Sequence, residues 1–211
     1  VFKYYMPEEI LLKTNINNES ENKKPRLGFL GVGWIGRNRM EVIAKHQAAE
    51  ISYIADTVPQ NTEAALQTAP NAQSVISLSD MLTDETDGVV IATPSAFHAE
   101  QSIKALQSGK AVFCQKPLGR NYEETKQVVE AARAANKLLG VDLSYRYTQA
   151  MQAVYQVVQS GELGNIYAVE LTFHNAYGPD KPWFYDPKLS GGGCVIDLGV
   201  HLVDLALWTL N

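Results

Sequence analysis

The sequence predicts an α/β fold of the Rossmann type, in which helices cover both faces of a doubly wound parallel sheet. Short segments that are apolar throughout, such as Gly88–Ile91 and Ala111–Cys114, alternate with amphipathic helical segments. That alternation is typical of parallel strands buried on both faces. The first apolar segment, 27–30, also breaks into a Gly-x-Gly-x-x-Gly pattern where a helix should begin. Residues 26–143 are therefore expected to form this domain.

The predicted elements can be placed in order along the chain. Residues 1–25, which end in a polar stretch, are expected to form a flexible lead-in. Asn121 and Glu124 resemble a capping box that opens a helix, and Gly109 follows another helix as a C-cap glycine does. The last helix is apolar nearly all round, which favours burial. Strands are predicted at 27–30, 51–55, 74–76, 88–91, 111–114, 138–141 and 167–173, and helices up to 45 and at 61–68, 96–108, 121–136, 147–160 and 198–210.

The glycine pattern, Gly31-x-Gly33-x-x-Gly36, fits a turn that binds a dinucleotide. Gly31 permits a tight turn from strand to helix, Gly33 lets the backbone approach a pyrophosphate, and Gly36 lets the helix pack closely on the sheet. The pyrophosphate would lie at the helix N-terminus, where free N–H groups and the helix dipole favour anions. Trp34 and Ile35 are expected to flank this site. The alternative is a glycine-rich turn that arose by chance.

An acidic residue follows the second predicted strand at the spacing of a dinucleotide site. Asp56 lies twenty residues after Gly36, where a carboxylate hydrogen-bonds the ribose 2′-hydroxyl. The same carboxylate would repel a 2′-phosphate, so NAD is favoured over NADP as the cofactor.

Composition and charge limit the classes of partner. The chain has 211 residues, 45% of them hydrophobic and 19% charged, with a formal net charge of −5, so a nucleic-acid surface is not expected. No apolar run approaches the roughly 20 residues of a membrane span, and the first residues do not resemble a signal peptide. Cys114 and Cys194 have neither metal nor disulfide spacing, which indicates a reducing, cytoplasmic compartment and no metal site.

Three residues could take part in chemistry, Lys116 as an ammonium that reaches a cofactor or substrate oxygen and Asp197 with His201 as a proton-transfer pair. Lys116 follows the strand Ala111–Cys114, and ligands in this architecture bind outside the carboxyl ends of strands. Asp197 and His201 are four residues apart, so on a helix they share one face, and an imidazole oriented by a carboxylate can exchange a proton near neutral pH. The alternative is an exposed lysine, a helix-start anion and a buried structural histidine. Asp204 extends the same face by one turn.

Further polar residues are predicted near the strand ends. Thr93 and Pro94 follow the strand Gly88–Ile91. His98 could border a nicotinamide pocket or simply lie in the first turn of a helix.

Residues beyond the sheet could contact a substrate. Arg146 could bind an anion or pair with a carboxylate of the other domain. The loop residues His174 and Trp183 are expected to line the substrate pocket. None of these residues identifies which hydroxyl reacts.

Taken together, these motifs resemble the glucose–fructose oxidoreductase, inositol dehydrogenase and MocA (Gfo/Idh/MocA) family. The resemblance runs from about Arg26 to the end of the chain and depends on several motifs in the same order. They are Gly31-Val-Gly-Trp-Ile-Gly36, Asp56, Thr93-Pro-Ser-Ala-Phe-His98, Gln115-Lys-Pro117, and the segment from Gly191 to Asp204. Several motifs at compatible spacing are far more specific than any one of them.

The resemblance implies an NAD(P)-dependent dehydrogenase that acts on a sugar, a polyol or a related carbon–oxygen centre. His201 would then be the general acid/base on the substrate hydroxyl. Asp197 would orient or contact the reacting carbon, and Lys116 would hydrogen-bond the substrate oxygen and the cofactor. Beyond the glycine turn and Asp56, the expected cofactor contacts are Thr93, Pro94, His98, Gln115 and Lys116.

The sequence departs from the family pattern in two places. The family usually has Glu where this chain has Gln115, which removes a negative charge beside Lys116 but leaves an amide that can hydrogen-bond. Family members also continue into a large, mostly antiparallel sheet, so residues 144–211 would be the start of an α+β second domain that lacks most of that sheet. Because an apolar helix at such a terminus favours association, a homo-oligomer is expected.

Two other functions are compatible with the sequence. The first is a non-catalytic NAD-binding sensor or regulator on the same scaffold, because a fold does not fix a function. Gln115 and the partial second domain favour it, whereas the set of Lys116, Asp197 and His201 argues against it. The second is a glycosidase of the same family that recycles NAD within each turnover.

Overall fold

The computed structural model describes residues 23–176, 178 and 181–210. The predicted flexible lead-in, residues 1–25, lies almost entirely outside the described residues.

A six-stranded parallel sheet forms the centre of the fold, and it confirms the predicted fold class. Its strand order is β3-β2-β1-β4-β5-β6, which is the order of a doubly wound dinucleotide-binding sheet. The order reverses between β1 and β4, so the crevice for a ligand is at the carboxyl ends of these two strands. The strands are β1 Arg26–Leu30, β2 Glu50–Ala55, β3 Gln73–Ser74, β4 Gly88–Ile91, β5 Ala111–Cys114 and β6 Leu139–Val141.

Helices connect the strands and continue beyond the sheet. The helices within the sheet domain are α1 Trp34–Lys45, α2 Pro59–Thr68, α3 Leu78–Met81, α4 Ser95–Gln107 and α5 Tyr122–Ala135. Those beyond it are α6 Gln149–Ser160, α7 Pro187–Ser190 and α8 Val200–Leu210, with 3₁₀ turns at Ser144–Tyr147 and Pro182–Tyr185 and a π-helical turn at Val195–Gly199.

Two apolar clusters cover the two faces of the sheet, because side chains alternate along each strand. Leu30, Val89 and Ile91 point to the cluster that contains residues of α4 and α5. Phe29 and Val90 point to the opposite cluster, which contains residues of α1 and α2. Burying a side chain such as Phe29, which is fully buried, contributes about 1.5–3 kcal/mol.

The structure corrects the predicted strand at 167–173. This segment has no regular secondary structure, and the Tyr167 side chain is 99% exposed. A strand needs a neighbouring backbone to satisfy its N–H and C=O groups. Among the described residues, none pairs with this segment.

The prediction that the last helix, which is apolar nearly all round, is buried is confirmed only in part. In α8, Val203 is 57% exposed and Leu207 is 51% exposed. The buried residues of α8 are His201, Asp204, Leu205 and Thr209, three of which are polar. Burial follows the polar contacts of this helix rather than its apolar composition.

The helical run Pro187–Leu210 also differs from the expectation about membrane spans. By length and composition alone this run could cross a membrane, although it contains glycines and polar residues that interrupt its apolar sequence. In the fold the same run carries His201 and Asp204, whose side chains are buried.

The start of α5 shows the capping that the sequence predicts, with one difference. The Asn121 side chain accepts a hydrogen bond from the Glu124 N–H at 2.9 Å. The Glu124 carboxylate, however, accepts from the Arg120 N–H at 2.8 Å and pairs with the Arg120 guanidinium. Hydrogen bonding and this charge lower the pKa of Glu124.

Candidate functional site

The glycine turn between β1 and α1 is fixed by close backbone packing. Gly31 has a φ of +85°, and a Cβ there would lie 2.7 Å from the carbonyl carbon and oxygen of Ala92, just beyond β4. A Cβ at Gly36 would lie 2.1 Å from the Gly31 carbonyl oxygen. Only glycine fits at these two positions without displacing backbone. Backbone packing therefore requires both glycines, whether or not a ligand is bound.

Gly33 is different, because space surrounds it. A Cβ there would have only the Asn61 amide nitrogen nearby, at 3.8 Å. Among the described residues, no side chain caps the N-terminus of α1 and no acidic residue lies in its first turn. The helix dipole and the N–H groups of the first turn are therefore not neutralised by a side chain of α1, which fits a pyrophosphate. Trp34, in the same turn, is 72% exposed, and Ile35 is partly buried.

The Asp56 carboxylate lies against the glycine turn. Its Oδ2 accepts from the Val32 N–H at 2.8 Å. Its Oδ1 accepts from the Val58 N–H at 2.8 Å and from the Asn61 amide at 3.2 Å. A carboxylate has about four acceptor sites, so these three hydrogen bonds leave capacity for a ribose hydroxyl.

Lys116 and Asp197 meet at the carboxyl end of β5. The Lys116 ammonium donates to Asp197 Oδ1 at 2.5 Å and to the Asp197 backbone oxygen at 2.6 Å. The two side chains are 20% and 27% exposed. This ion pair brings together two of the three residues that the sequence singled out as chemically active.

The third residue, His201, is buried in α8 without a complete set of partners. It is 6% exposed, and within the described residues its Nδ1 is buried and has no hydrogen-bond partner. Burial, followed by the charge of Lys116, lowers the pKa of His201, against the opposite effect of nearby carboxylates. The imidazole is therefore largely neutral at pH 7, and its Nδ1 makes no hydrogen bond to any described residue.

The structure does not place Asp197 as the orienting group of the imidazole. Asp197 lies in the π-helical turn Val195–Gly199, before α8 begins. Its carboxylate faces Lys116 instead, so the i, i+4 spacing with His201 does not produce a hydrogen-bonded pair. The ring that contacts the imidazole is Tyr145, at a centroid distance of 4.6 Å.

The segment before the π-helical turn approaches the sheet domain through a glycine. Gly191 has a φ of +85°, and a Cβ there would lie 2.6 Å from the Arg120 Cβ. The Arg120 guanidinium also donates to the Lys188 backbone oxygen at 2.5 Å. This close approach brings Asp197 within reach of Lys116.

His98 connects the ends of two strands. It is 1% exposed, and its two ring nitrogens lie 2.7 Å from the backbone oxygens of Pro117 and Thr93. Burial lowers the pKa of His98, although both carbonyl groups act in the opposite direction. His98 thus fixes the turn after Lys116 to the turn after β4, where the Thr93 hydroxyl donates to Gln101 at 2.6 Å.

Gln115 leads to two residues that sequence reasoning missed. Its amide nitrogen donates to the Asp142 carboxylate, which also accepts from Arg39 Nε at 2.6 Å. Asp142 directly follows β6, and an acidic residue at a strand's carboxyl end was a signal that could have been used. Arg39 carried no such signal.

Arg146 pairs with the buried Asp204 carboxylate through both Nε and Nη2. The sequence left open an anion or a carboxylate of the other domain for Arg146, but the carboxylate found lies in the same region, residues 144–211. His174 is exposed, and Trp183 stacks on Phe184 at a centroid distance of 4.0 Å. Among the described residues, no group of three or more His, Cys, Asp or Glu side chains could hold a metal ion.

Comparisons with known proteins agree with the fold. Residues 25–143 match the model of the oxidoreductase family with an NAD-binding Rossmann fold, and residues 151–211 match the GFO/IDH/MocA C-terminal domain. The chain belongs to the Gfo/Idh/MocA family.

Curated members of the Gfo/Idh/MocA family include sugar oxidoreductases. The chain is 29% identical to the 1,5-anhydro-D-fructose reductase of Ensifer adhaerens over 88% of this chain and 56% of that protein. It is 32% identical to the D-glucoside 3-dehydrogenase of Escherichia coli K12 over 62% of this chain and 38% of that protein. The chain thus spans about half the length of such relatives.

Solved structures of family members share the fold. The WlbA dehydrogenase from Bordetella pertussis, solved with NADH and UDP-GlcNAcA, has a TM-score of 0.77 at 31% identity, over 90% of this chain and 56% of that one. An NAD-binding protein from Listeria innocua has a TM-score of 0.79 at 30% identity, over 88% of this chain and 54% of that one.

Proposed function

We propose that this Gfo/Idh/MocA chain carries the cofactor site and the acid–base residues of an NAD-dependent oxidoreductase. The substrate would be a secondary alcohol of a sugar, a polyol or a related compound. The observation that carries the proposal is the neutral, buried imidazole of His201, whose Nδ1 has no partner among the described residues, in a site that also contains the Lys116–Asp197 pair.

Each of the three residues has a role that its surroundings favour. The lowered pKa of His201 leaves the imidazole free to accept the hydroxyl proton of the alcohol. The Lys116 ammonium, at the strand's carboxyl end, would hydrogen-bond the oxygen on which negative charge develops. Asp197 holds that ammonium in place through its ion pair. NAD, when bound, would supply the hydride acceptor for the carbon that bears this oxygen.

The cofactor would be NAD rather than NADP. The open space at Gly33 and the uncapped N-terminus of α1 would accommodate the pyrophosphate. Asp56 would accept a ribose hydroxyl and repel a 2′-phosphate. Residues 26–143 would form the cofactor-binding unit, with residues 144–211 as the first part of a substrate domain in a homo-oligomer.

The test is a panel of sugars and polyols with NAD and NADP, followed by the absorbance of reduced nicotinamide, together with NADH binding by fluorescence. His201→Asn should lower kcat by about 10²–10⁴-fold and leave NADH affinity unchanged. Unchanged turnover in this variant would contradict the assignment of His201.

The same panel separates the other two functions. An NAD-binding regulator would bind NADH without turning over any sugar. A glycosidase that recycles its cofactor would cleave a glycoside without net reduction of added NAD. A dehydrogenase would produce NADH in proportion to the alcohol consumed.

A further inference from the structure

Asp142 is a buried carboxylate with no part in the proposed proton or hydride transfer. Its side chain is 5% exposed, and it follows β6 at the carboxyl edge of the sheet. Arg39, from α1, donates to Asp142 Oδ2 at 2.6 Å. The Gln115 amide nitrogen donates to the same oxygen. A carboxylate in this position is expensive to bury unless it has such partners.

The carboxylate of Asp142 limits which side chains are favourable at position 115. An ionised carboxylate only accepts hydrogen bonds, so the group that faces Asp142 must be a donor, and the amide of Gln115 supplies one. A glutamate at position 115 would bring two carboxylates together, and two such groups cannot both ionise without a large cost. Gln115 and Asp142 therefore form a matched pair.

The pair connects three elements that carry the site. Gln115 directly precedes Lys116 in the turn after β5. Arg39 lies on α1, whose N-terminus faces the cofactor space, and its guanidinium also reaches the Ser144 hydroxyl at 3.4 Å. The contacts among Gln115, Asp142 and Arg39 thus link the turn after β5, which carries Lys116, to helix α1 and to the segment that follows β6.

Asp142 also acts on the imidazole at a distance. The charged groups that influence His201 are Lys116, which lowers its pKa, and Asp204, Asp142 and Asp197, which raise it. Asp197 is paired with Lys116, and Asp204 is paired with Arg146. Asp142 differs from these two carboxylates because it accepts hydrogen bonds from both an uncharged amide, Gln115, and an arginine, Arg39.

We propose that Asp142 is a positioning residue of the oxidoreductase site. Its carboxylate, held between Arg39 and Gln115, fixes the turn that carries Lys116 and supplies negative charge to the surroundings of His201. The proposal rests on the proposed function, because the alignment of Lys116 and His201 matters for turnover of an alcohol.

A double-mutant cycle tests the pairing. Its four proteins are wild type, Gln115→Glu, Asp142→Asn, and the double variant Gln115→Glu/Asp142→Asn, in which the two groups are swapped. The swap restores one amide and one carboxylate with their positions exchanged. Each single change should lower kcat/KM for the best sugar of the panel at least about fivefold, and the swap should recover most of the loss of Gln115→Glu. A swap whose loss is the product of the two single losses would overturn the proposal.

A second readout is independent of turnover. The ring signals of His201 can be followed by NMR against pH and assigned by their absence in His201→Asn. Asp142→Asn removes negative charge, so it should lower the pKa of His201 further. The matched control is Asp87→Asn, which removes a carboxylate paired with Arg26, at 3.5 Å, at the opposite end of the strands, and should leave this titration unchanged.

The two readouts distinguish the failure of each proposal. If no variant, including wild type, turns over any sugar, the proposed dehydrogenase function fails while the His201 titration still decides the role of Asp142. If the His201 titration is the same in Asp142→Asn and wild type, the positioning proposal is overturned. The comparison of the His201 titration between Asp142→Asn and wild type does not require Gln115→Glu to fold.

Discussion

The sheet domain and the region beyond it, residues 144–210, are held together by different forces. In the sheet domain, apolar clusters lie on both faces, with residues such as Phe29 and Ile91 fully buried. In the second region, the buried residues of α8 are mainly polar, and apolar side chains such as Tyr167 and Val203 are exposed. Ion pairs to distant residues, Lys116–Asp197 and Arg146–Asp204, determine its geometry.

This difference also distinguishes the proposed cofactor site from the proposed acid–base residues. The glycine turn is built by a short segment and by the strands beside it. The proposed acid–base residues come together only because contacts such as Lys116–Asp197 span 81 residues of the chain. The stability of the first region is therefore expected to depend on packing, and that of the second on single charged contacts.

The largest effect is expected from Asp204→Asn. The Arg146 and Asp204 side chains are 14% and 8% exposed, and the change leaves the buried guanidinium without this carboxylate. Removing one partner of a buried ion pair costs about 3–5 kcal/mol. Hydrogen exchange should become faster in α6 and α8 but remain slow in the sheet, and urea unfolding gives the change in free energy.

The control for this change is Glu130→Gln. Glu130 lies 4.0 Å from Lys126 on the exposed surface of α5, where the Lys126 side chain is 47% exposed and the Glu130 side chain is 59% exposed. Its loss should cost less than about 0.5 kcal/mol. Equal protection of both regions in Asp204→Asn would show that the second region does not depend on this pair.

The next effect contrasts two glycines of one turn. A methyl group in Gly36→Ala would meet the Gly31 carbonyl oxygen at 2.1 Å, so overpacking should cost about 1–3 kcal/mol or more. Gly33→Ala has open space and should cost less than about 1 kcal/mol. It should nevertheless weaken NADH binding at least about tenfold, or about 1.4 kcal/mol.

Thermal unfolding and NADH fluorescence on the same two variants provide the measurements. The sheet domain would be more tolerant than the packing suggests if Gly36→Ala kept the melting temperature of the wild type. Full NADH affinity in Gly33→Ala would mean that the pyrophosphate does not approach the turn at this position.

Much of the first region could be predicted from the sequence because its signals are local. The apolar strand Gly88–Ile91 and the helix ending at Lys45 are where the pattern predicts them. Asp56 lies against the glycine turn, since a parallel sheet brings the ends of neighbouring strands together. Such features depend on neighbouring residues and on strand order alone.

The second region could not be predicted as well because its contacts are distant. The spacing of Asp197 and His201 suggested one helical face. Asp197 instead lies in a π-helical turn and its carboxylate pairs with Lys116, so it does not hydrogen-bond the imidazole. The segment 167–173 has the composition of a strand, yet strand formation needs a partner that sequence pattern does not identify. The pairing of Gln115 with Asp142 was hidden for the same reason.

The smallest effect is a pH dependence of stability to which each region contributes one histidine. Burial lowers the pKa of His98 in the sheet domain and of His201 in α8 below the ordinary value of 6.5. As the pH falls below about 6.5, the unfolded chain binds protons on these imidazoles that the folded chain does not. The free energy of unfolding should therefore decrease with falling pH, by at most about 1.4 kcal/mol for each unit that a pKa is lowered.

Urea unfolding between pH 8 and pH 5 measures this slope, and the variants divide it between the regions. His98→Asn and His201→Asn should each make the pH dependence shallower, because each removes one group that protonates more readily in the unfolded chain. Carboxylates add their own slope in acid, but that contribution is common to all three proteins and cancels in the differences. A slope that is unchanged in His201→Asn but reduced in His98→Asn would mean that the imidazole of α8 is not as desolvated as its surroundings indicate. The contrast between a packed sheet domain and a second region held by charged contacts would then extend to His201, the proposed acid–base residue.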